Sequence, residues 1–497
     1  MMALDALQPL PADRFGEAEA RHLLQRAGFG GPPHQVRKLA QMGLDAAVDY
    51  LVDFEKIDDS ALPQPKYERI MRAPTMSERI MRRQARAEDD TETLKQLQAE
   101  QAQMRARDRQ QMANLRGWWL QRMIDTPRPL EEKLTLLWHG HFASSYRAVH
   151  DSMLMMRQHM LFRRGGKGDF SRLAASIIRD PAMLKYLNND SNRRSQPNEN
   201  LARELMELFM LGEGNYTESD IKEGARALTG YHTNPAGDFA FNRRQHDAGV
   251  KKIFGKAGQF NGDDFVRLCL QHPACRTYIS YKLYCWFVRD LQDLPDGPDV
   301  EALRVIDVMA QHLAEDRFNI GRVLKRLFRS RHFYDASVRG AQIKSPAQLV
   351  AGTARMLATP DRPIEPLLQA MNIMGQQLFD PPSVQGWPGG RTWISTATLF
   401  ARQNAAVYLI TGRPPRQRRW SRDQIDYDPG FLLEGVSAKS ASAIVEHLCR
   451  LLISVPLHPA RLERLTAFLE DRPRPTDRDA LIDLLLLITA LPEYQLC

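Results

Sequence analysis

Apolar residues recur at helical spacing along most of the chain. Between Glu17 and Ala27 they fall on one face, and Pro129 begins a segment in which Leu134, Leu137 and His141 share a face. The same period predicts further helices at Ser171–Ile178, Asn198–Leu211, Glu218–Leu228, Phe265 to about Phe333, and Ser437–Leu491. The pattern therefore predicts an all-α fold built as one large multi-helix body.

Two stretches interrupt the helical period. From Tyr231 to Asp264 the chain is rich in Gly, Asn and Asp, and Phe239 and Phe241 alternate with other residues. This pattern predicts a long irregular loop with a short hairpin. A second irregular loop is predicted over Asp380–Ser395, where Pro, Gly and Trp are frequent.

The polarity of the chain suggests three parts. The main helical domain is predicted over residues 1–413, with a polar arm at 77–123 that forms one long helix or a helical hairpin. Pro and Arg are dense around residues 414–428, which are the best candidate for a linker. Residues 429–497 then read as a smaller helical subdomain.

Composition narrows the class of protein. The 497 residues are 43% hydrophobic and 26% charged, which is typical of a soluble globular protein. A net charge of +8 is small for this length, and acidic residues interrupt the basic arm, so we expect no nucleic-acid partner. Five cysteines predict no disulfide framework. No apolar run is long enough to span a membrane, and Met1–Leu10 resembles no export signal, so we expect a cytoplasmic protein.

The sequence Trp138-His-Gly-His-Phe142 is the first candidate for chemistry. His139 and His141 could both ligate one metal ion if the backbone were extended, because alternate side chains share a face there. In a helix they diverge by about 200°. The alternative is one core histidine that bonds to backbone and one surface histidine.

The acidic block at Asn198–Phe209 is the second candidate. On a helix, Asn200, Glu204 and Glu207 line one face, and two carboxylates at this spacing could hold a divalent ion. The alternative is a salt-bridged helix in which Glu199, Arg203 and Glu207 pair in series. Substrate contacts could come from Asn198, Glu199, Asn200 and Arg203.

The two irregular loops carry further candidates. His246, Asp247 and Lys251 could act as an acid, a base or ligands, and the alternative is a surface loop pinned by an Asp–Lys contact. Trp387 and Trp393 could form an aromatic wall for a substrate. Their alternative role is to cap the core.

Several blocks together resemble a bacterial family, the domain-of-unknown-function 1800 proteins. They are Arg21-His-Leu-Leu-Gln-Arg-Ala-Gly-Phe-Gly30, Glu132–Phe142, Asp180–Leu187, Asn198–Phe209, His246-Asp247 with Lys251, and Pro381–Gly390. The blocks occur in the family's order over nearly the whole chain. The resemblance implies a shared fold but no particular activity, and some members of the family are exported.

Two functions remain open from the sequence. In the first, the protein is a metal-dependent enzyme, and a hydrolase is favoured over an oxidoreductase. It holds a divalent ion of unknown identity with His139, His141, Glu204 and Glu207. The loop residues His246, Asp247 and Lys251 then supply the acid or base. In the second, a non-catalytic binding or assembly protein contacts an unknown partner through the polar arm and the Trp loop. The first function requires three separated stretches to meet in one polar cavity.

Overall fold

The computed structural model of the chain describes residues 6–291, 299–414, 421–436 and 440–497. The described residues form 22 α-helices and two small two-stranded sheets. The prediction of an all-α body with two irregular loops is confirmed.

The helices follow one another in three groups along the chain. The first group is α1 (Glu17–Ala27), α2 (Pro33–Met42), α3 (Leu44–Val52), α4 (Met76–Ala87), α5 (Thr91–Asp125), α6 (Pro129–His141), α7 (Tyr146–Val149) and α8 (Ser152–Gly165). The second is α9 (Phe170–Ile177), α10 (Pro181–Tyr186), α11 (Asn200–Glu204), α12 (Glu218–Ala227), α13 (Gly262–Gln271), α14 (Pro273–Phe287), α15 (Val300–Glu315) and α16 (Ile320–Arg329). The third is α17 (Pro346–Leu357), α18 (Ile364–Ile373), α19 (Thr396–Thr411), α20 (Ala441–Leu452), α21 (Pro459–Glu470) and α22 (Arg478–Ala490).

Short 3₁₀ turns connect several of these helices. They lie at Ala12–Arg14, Phe54–Lys56, Asn189–Ser191, His332–Tyr334, Gly390–Trp393, Arg422–Gln424, Pro429–Leu433 and Pro492–Gln495.

The first irregular loop contains both small sheets. Strand β1 (Tyr231–Thr233) pairs antiparallel with β2 (Phe239–Phe241), and β3 (Lys251–Ile253) pairs antiparallel with β4 (Lys256–Gly258). The predicted hairpin around the alternating phenylalanines is β1–β2. In the second irregular loop, the one element among the described residues is the 3₁₀ turn at Gly390–Trp393.

The polar arm is a helical hairpin of α4 and α5. Asp89 reverses the chain with a φ of 52°, and the Asp90 carboxylate caps α5 by accepting hydrogen bonds from two backbone amides. The carboxyl-terminal half of α5 is buried through Met112 and Trp119, whereas most of α4 is exposed. The arm is thus anchored by one end of its longer helix.

Two apolar clusters make up the interior. The first gathers residues of α1–α3, α9 and α12–α16, and the second gathers residues of α5 and α17–α22. Helix α6 lies between them, because Leu134 belongs to the first cluster and Leu136 to the second. Residues 415–420 of the predicted linker lie outside the described residues, and the division into 1–413 and 429–497 stays a prediction.

Two further predictions concern the whole chain. The five cysteines form no disulfide. None of the helices in the described ranges combines the length and the apolar character that crossing a membrane requires.

Candidate functional site

The two histidines of α6 lie in separate apolar surroundings. His139 is fully buried, and its Nε2 lies 3.1 Å from Nδ1 of His159. Aromatic rings surround this pair, and burial lowers the pKa of His139 to about 3. Its partner is thus a second buried histidine that sequence reasoning did not single out.

His141 points to the other side of the helix. Its Nε2–H donates to the backbone carbonyl of Phe209 at 2.9 Å. Burial, together with the charge of Lys282, lowers its pKa to about 3. Because α6 continues as a helix through His141, the extended backbone that a shared metal ligand pair requires is absent here.

The acidic block is not one regular helix. Helix α11 ends at Glu204, and Leu205–Met210 continues as a π-helix, a form that is rare and often found at functional sites. Glu207 accepts a hydrogen bond from the Tyr216 hydroxyl at 2.5 Å. Burial and the nearby Glu207 carboxylate raise the pKa of Glu204.

Arg203 makes the predicted ion pair with Glu199 but not the predicted one with Glu207. It pairs with Glu199 at 3.2 Å and with Glu218 of α12 at 2.8 Å. Glu207 is engaged by Tyr216 instead. The long-range partner Glu218 could not be read from helical spacing.

The predicted metal set does not form one coordination shell in the described structure. His139 contacts His159, His141 contacts Phe209, and Glu207 contacts Tyr216. Within the described ranges, no three His, Cys, Asp or Glu side chains stand close enough together to hold a metal ion. The binding of a divalent ion stays a prediction.

Two buried asparagines fix the loop that precedes α11. The Asn189 amide donates to the backbone of Tyr231, and the Asn192 amide donates to the backbone of Ala225. The side-chain oxygen of Asn192 accepts from the backbone amide of Asn198. Satisfied amides of this kind hold irregular backbone in one conformation.

The same loop lies against the loop that carries His246. The backbone amide of Arg194 donates to the Gln245 carbonyl at 2.8 Å, and the Gly230 amide donates to the Asn192 carbonyl at 3.0 Å. The loop that precedes the acidic block is therefore adjacent to the loop that carries His246, and we name residues 191–199 and 242–246 the arginine loops. The stretch at His139 and His141 lies in the apolar interior.

His246 is oriented by backbone. Its Nδ1–H donates to the Thr229 carbonyl at 2.9 Å, and the Phe241 ring packs on the imidazole. Because Nδ1 carries the proton, Nε2 is the basic nitrogen, and no described residue donates a hydrogen bond to it. Of the three predicted loop residues, His246 is the one whose side chain keeps a nitrogen without a hydrogen-bond partner among the described residues.

Asp247 and Lys251 have structural partners. The Asp247 carboxylate accepts from Arg226 at 2.7 Å, and this bond lowers its pKa. The buried Lys251 ammonium donates to the backbone carbonyls of Asp247 and Gly249, while burial lowers its pKa. The predicted pinning contact exists, but it joins Lys251 to the backbone of Asp247.

A polar cavity of about 400 Å³ opens on the first arginine loop. It is lined by Ser191, Arg193, Gln196, Pro197, Asn198 and Glu199. Two of the predicted substrate-binding residues, Asn198 and Glu199, are therefore in its wall. Asn200 is not among the lining residues, and its backbone N–H donates to the side-chain oxygen of Asn198.

Four exposed arginines stand on the arginine loops: Arg193, Arg194, Arg243 and Arg244. In the described part of the chain, no carboxylate lies within ion-pairing distance of any of them, although Arg193 lines the cavity that Glu199 also lines. The two Arg-Arg pairs were visible in the sequence. Their adjacency depends on the backbone contact between Arg194 and Gln245, so sequence reasoning missed it.

The tryptophans of the second loop face the interior. Trp393 is buried, and the half-buried Trp387 donates its Nε1–H to the Gln377 carbonyl at 3.2 Å. The ring of Trp387 lies beside Gly140 of α6, so the loop covers the end of that helix. Both tryptophans therefore cap the core in this structure, as in the alternative interpretation.

Comparison with known proteins places the chain in a family but not in a function. No curated protein and no solved structure matches it. One family description, "Protein of unknown function (DUF1800)", matches residues 22–496. Because this match covers nearly the whole chain, the protein belongs to the DUF1800 family.

Proposed function

We propose that this protein binds a phosphate-bearing ligand at the arginine loops. The observation that carries the proposal is the set of four exposed arginines without a described carboxylate partner, on two loops joined by backbone hydrogen bonds. Guanidinium groups bind phosphate through paired hydrogen bonds. The asparagine-held backbone keeps the two loops in register, which lowers the entropy lost on binding.

The cavity supports a small polar ligand. At about 400 Å³ it lies within the range of small-molecule sites. Its one carboxylate, that of Glu199, pairs with Arg203 at 3.2 Å, so its charge is partly neutralised. Arg193 then supplies the positive charge of the wall, and Asn198 supplies an amide.

Calorimetric titration with inorganic phosphate tests this proposal. We expect Arg193→Gln and Arg244→Gln each to weaken binding by roughly tenfold, and binding to weaken as salt increases. Arg83→Gln on the exposed helix α4 is the matched control and should leave the affinity unchanged. Equal loss in all three variants, or tighter binding of malonate than of phosphate, would contradict the proposal.

We infer a second candidate function, hydrolysis of the bound ester, from the orientation of His246. The Thr229 carbonyl holds Nδ1–H, which leaves Nε2 to accept a proton from a water that attacks the phosphorus of a phosphate ester. The P–O bond to the alcohol then breaks, and the protonated imidazole returns the proton to the leaving oxygen. His246→Gln should abolish turnover of p-nitrophenyl phosphate and retain phosphate binding. Unchanged turnover in that variant would remove His246 from the reaction.

Metal dependence of that hydrolysis needs its own experiment. Mass spectrometry of gently purified protein measures any bound divalent ion, and Glu204→Gln should release it while the fold is preserved. A protein without stoichiometric metal would contradict the metal-dependent form of the proposal but not phosphate binding at the arginine loops.

A further inference from the structure

A second and larger cavity lies far along the chain from the arginine loops. Its volume is about 900 Å³, and three segments enclose it: residues 10–21, residues 331–339 and residues 446–462. The first segment includes Arg21, which opens the sequence block that resembles the family. This block had no role in the functions discussed above.

Arginines dominate the charge of this cavity. Five of them line it, against two carboxylates, those of Asp335 and Glu446. The five are Arg14, Arg21, Arg331, Arg339 and Arg450. Of these five arginines, only Arg339 has an ion-pair partner among the described residues, since it contacts Glu19 at 2.6 Å. The wall therefore carries an excess of positive charge.

Arg21 is the most enclosed of the four arginines without a described ion pair. Its Nε is buried and has no hydrogen-bond partner in the described structure. Burial has the largest effect on its pKa and lowers it. The Glu17 and Glu19 carboxylates oppose this effect, and the charges of Arg450 and Arg339 add to it. Arg450 donates from Nε to the backbone carbonyl of Glu446 and not to a carboxylate. Two guanidinium groups that repel each other in a partly dry wall favour an anion between them.

Apart from the charged residues, the wall is mostly apolar. Its apolar side chains include Leu10, Tyr334, Cys449, Ile453, Val455, Pro456, Leu457 and Leu462. Such a wall favours contact with hydrocarbon over contact with water, by about 25 cal/mol for each Å² that is covered. A ligand for this cavity thus needs an anionic group and an apolar body.

We propose that this cavity binds an amphiphilic anion, with its acidic head group on Arg21 and Arg450 and its apolar body along the Ile453–Leu462 wall. The acidic head group is a carboxylate or a phosphate, since both bind guanidinium groups. This proposal does not depend on the proposed function at the arginine loops.

Calorimetric titration of the full-length protein with octanoate and with octyl phosphate tests the proposal. We expect one bound molecule per chain for at least one of the two, and the preferred one identifies the head group. Inorganic phosphate and the neutral octyl glucoside should each bind at least tenfold more weakly. Binding of either at the affinity of the preferred amphiphile would overturn the proposal.

Variants locate the site. Arg450→Met, at an exposed position, and Leu457→Ser should each weaken binding by roughly tenfold, whereas Arg464→Met on α21 should not. Arg21→Met should weaken binding further. If the Arg21→Met variant does not fold, Arg450→Met still tests the proposal. Arg193→Gln should leave octanoate binding unchanged, which separates this cavity from the arginine loops. Equal loss with Arg464→Met, or loss with Arg193→Gln, would overturn the assignment.

Discussion

Lys133 of α6 is a buried cation without a hydrogen-bond acceptor among the described residues. Only 1% of it is exposed, and its Nζ lies 5.6 Å from the ring centre of Phe29 and 5.3 Å from that of Trp286. Burial lowers its pKa to about 7. Aromatic rings attract an ammonium group, but they replace only part of its hydration. The protonated form of Lys133 therefore destabilises the folded state.

This pKa predicts how stability depends on pH. Unfolded lysine titrates near pH 10.4, so between about pH 10 and pH 7 the unfolded chain binds a proton that the folded chain does not. The free energy of unfolding should fall as the pH falls through this window, by up to about 1.4 kcal/mol per pH unit, and should level off below pH 7. Urea unfolding at pH 7 and pH 9 measures the difference.

Lys133→Met tests the assignment of that pH dependence. The variant removes the charge and keeps an apolar chain of similar length, so it should flatten the dependence and stabilise the protein at pH 7 by about 2 kcal/mol. Lys95→Met, at an exposed position of α5, is the control and should change neither quantity. If Lys133→Met leaves the pH dependence of the free energy of unfolding unchanged, a group other than Lys133 titrates between pH 7 and pH 10.

At the scale of elements, two glycines let the second irregular loop dock on α6. Gly386 has a φ of 89°, and a Cβ added there would lie 2.9 Å from the carbonyl carbon of Gly140. The loop backbone therefore approaches the helix backbone more closely than any other residue would permit. This contact places Trp387 over the turn that contains His139 and His141.

Gly386→Ala should destabilise the protein by about 3 kcal/mol, because backbone strain at positive φ adds to the collision with Gly140. Gly43→Ala is the matched control: Gly43 also has a positive φ, 76°, but no atom lies within 4 Å of an added Cβ. That variant should lose less, about 1–2 kcal/mol, because only the backbone strain applies there. Thermal unfolding followed by tryptophan fluorescence compares the two, and equal losses would show that strain alone matters at Gly386.

Local signals in the sequence predicted the elements well. Pro129 is the first residue of α6, and Glu218 is the first residue of α12, as the sequence predicts. The π-helix after Glu204 had no such signal, because it depends on contacts of the folded chain. The carbonyl of Phe209, inside that π-helix, is the acceptor for His141.

The candidate site was harder to predict for the same reason. Helical spacing suggested Glu207 as a partner of Arg203, but the structure provides Glu218 of the next helix. His159 likewise has no sequence feature that links it to His139. Residue types indicated which blocks were polar, whereas the partners within each block were set by packing between distant elements.

At the scale of the whole molecule, the last helices share a core with the middle of the chain. Leu448 and Leu485 belong to the same apolar cluster as Leu349 of α17. Polar contacts reinforce this union, since the Tyr494 hydroxyl bonds to Thr353 at 2.6 Å. The carboxyl-terminal helices are thus packed against the middle of the chain through both apolar and polar contacts.

Buried cations tie the end of the chain to α19 and to the segment just before α17. The Lys344 ammonium donates to the Tyr494 carbonyl at 2.7 Å, and Arg402 donates to the Gln495 side chain at 2.6 Å. Both cations are buried. Removal of their acceptors would leave two desolvated charges, which is more destabilising than the loss of apolar contacts alone.

The sequence predicted a main domain at 1–413 and a subdomain at 429–497, and truncation decides how independent they are. From the shared core and the buried cations, we expect a chain that ends at residue 413 to lose cooperative unfolding. Circular dichroism during thermal unfolding measures this loss. The control is the full chain with a protease site inserted in residues 414–428 and then cleaved, in which both parts remain present and should stay associated. A truncated chain that unfolds cooperatively at the temperature of the full protein would show that the main domain is complete without its last helices.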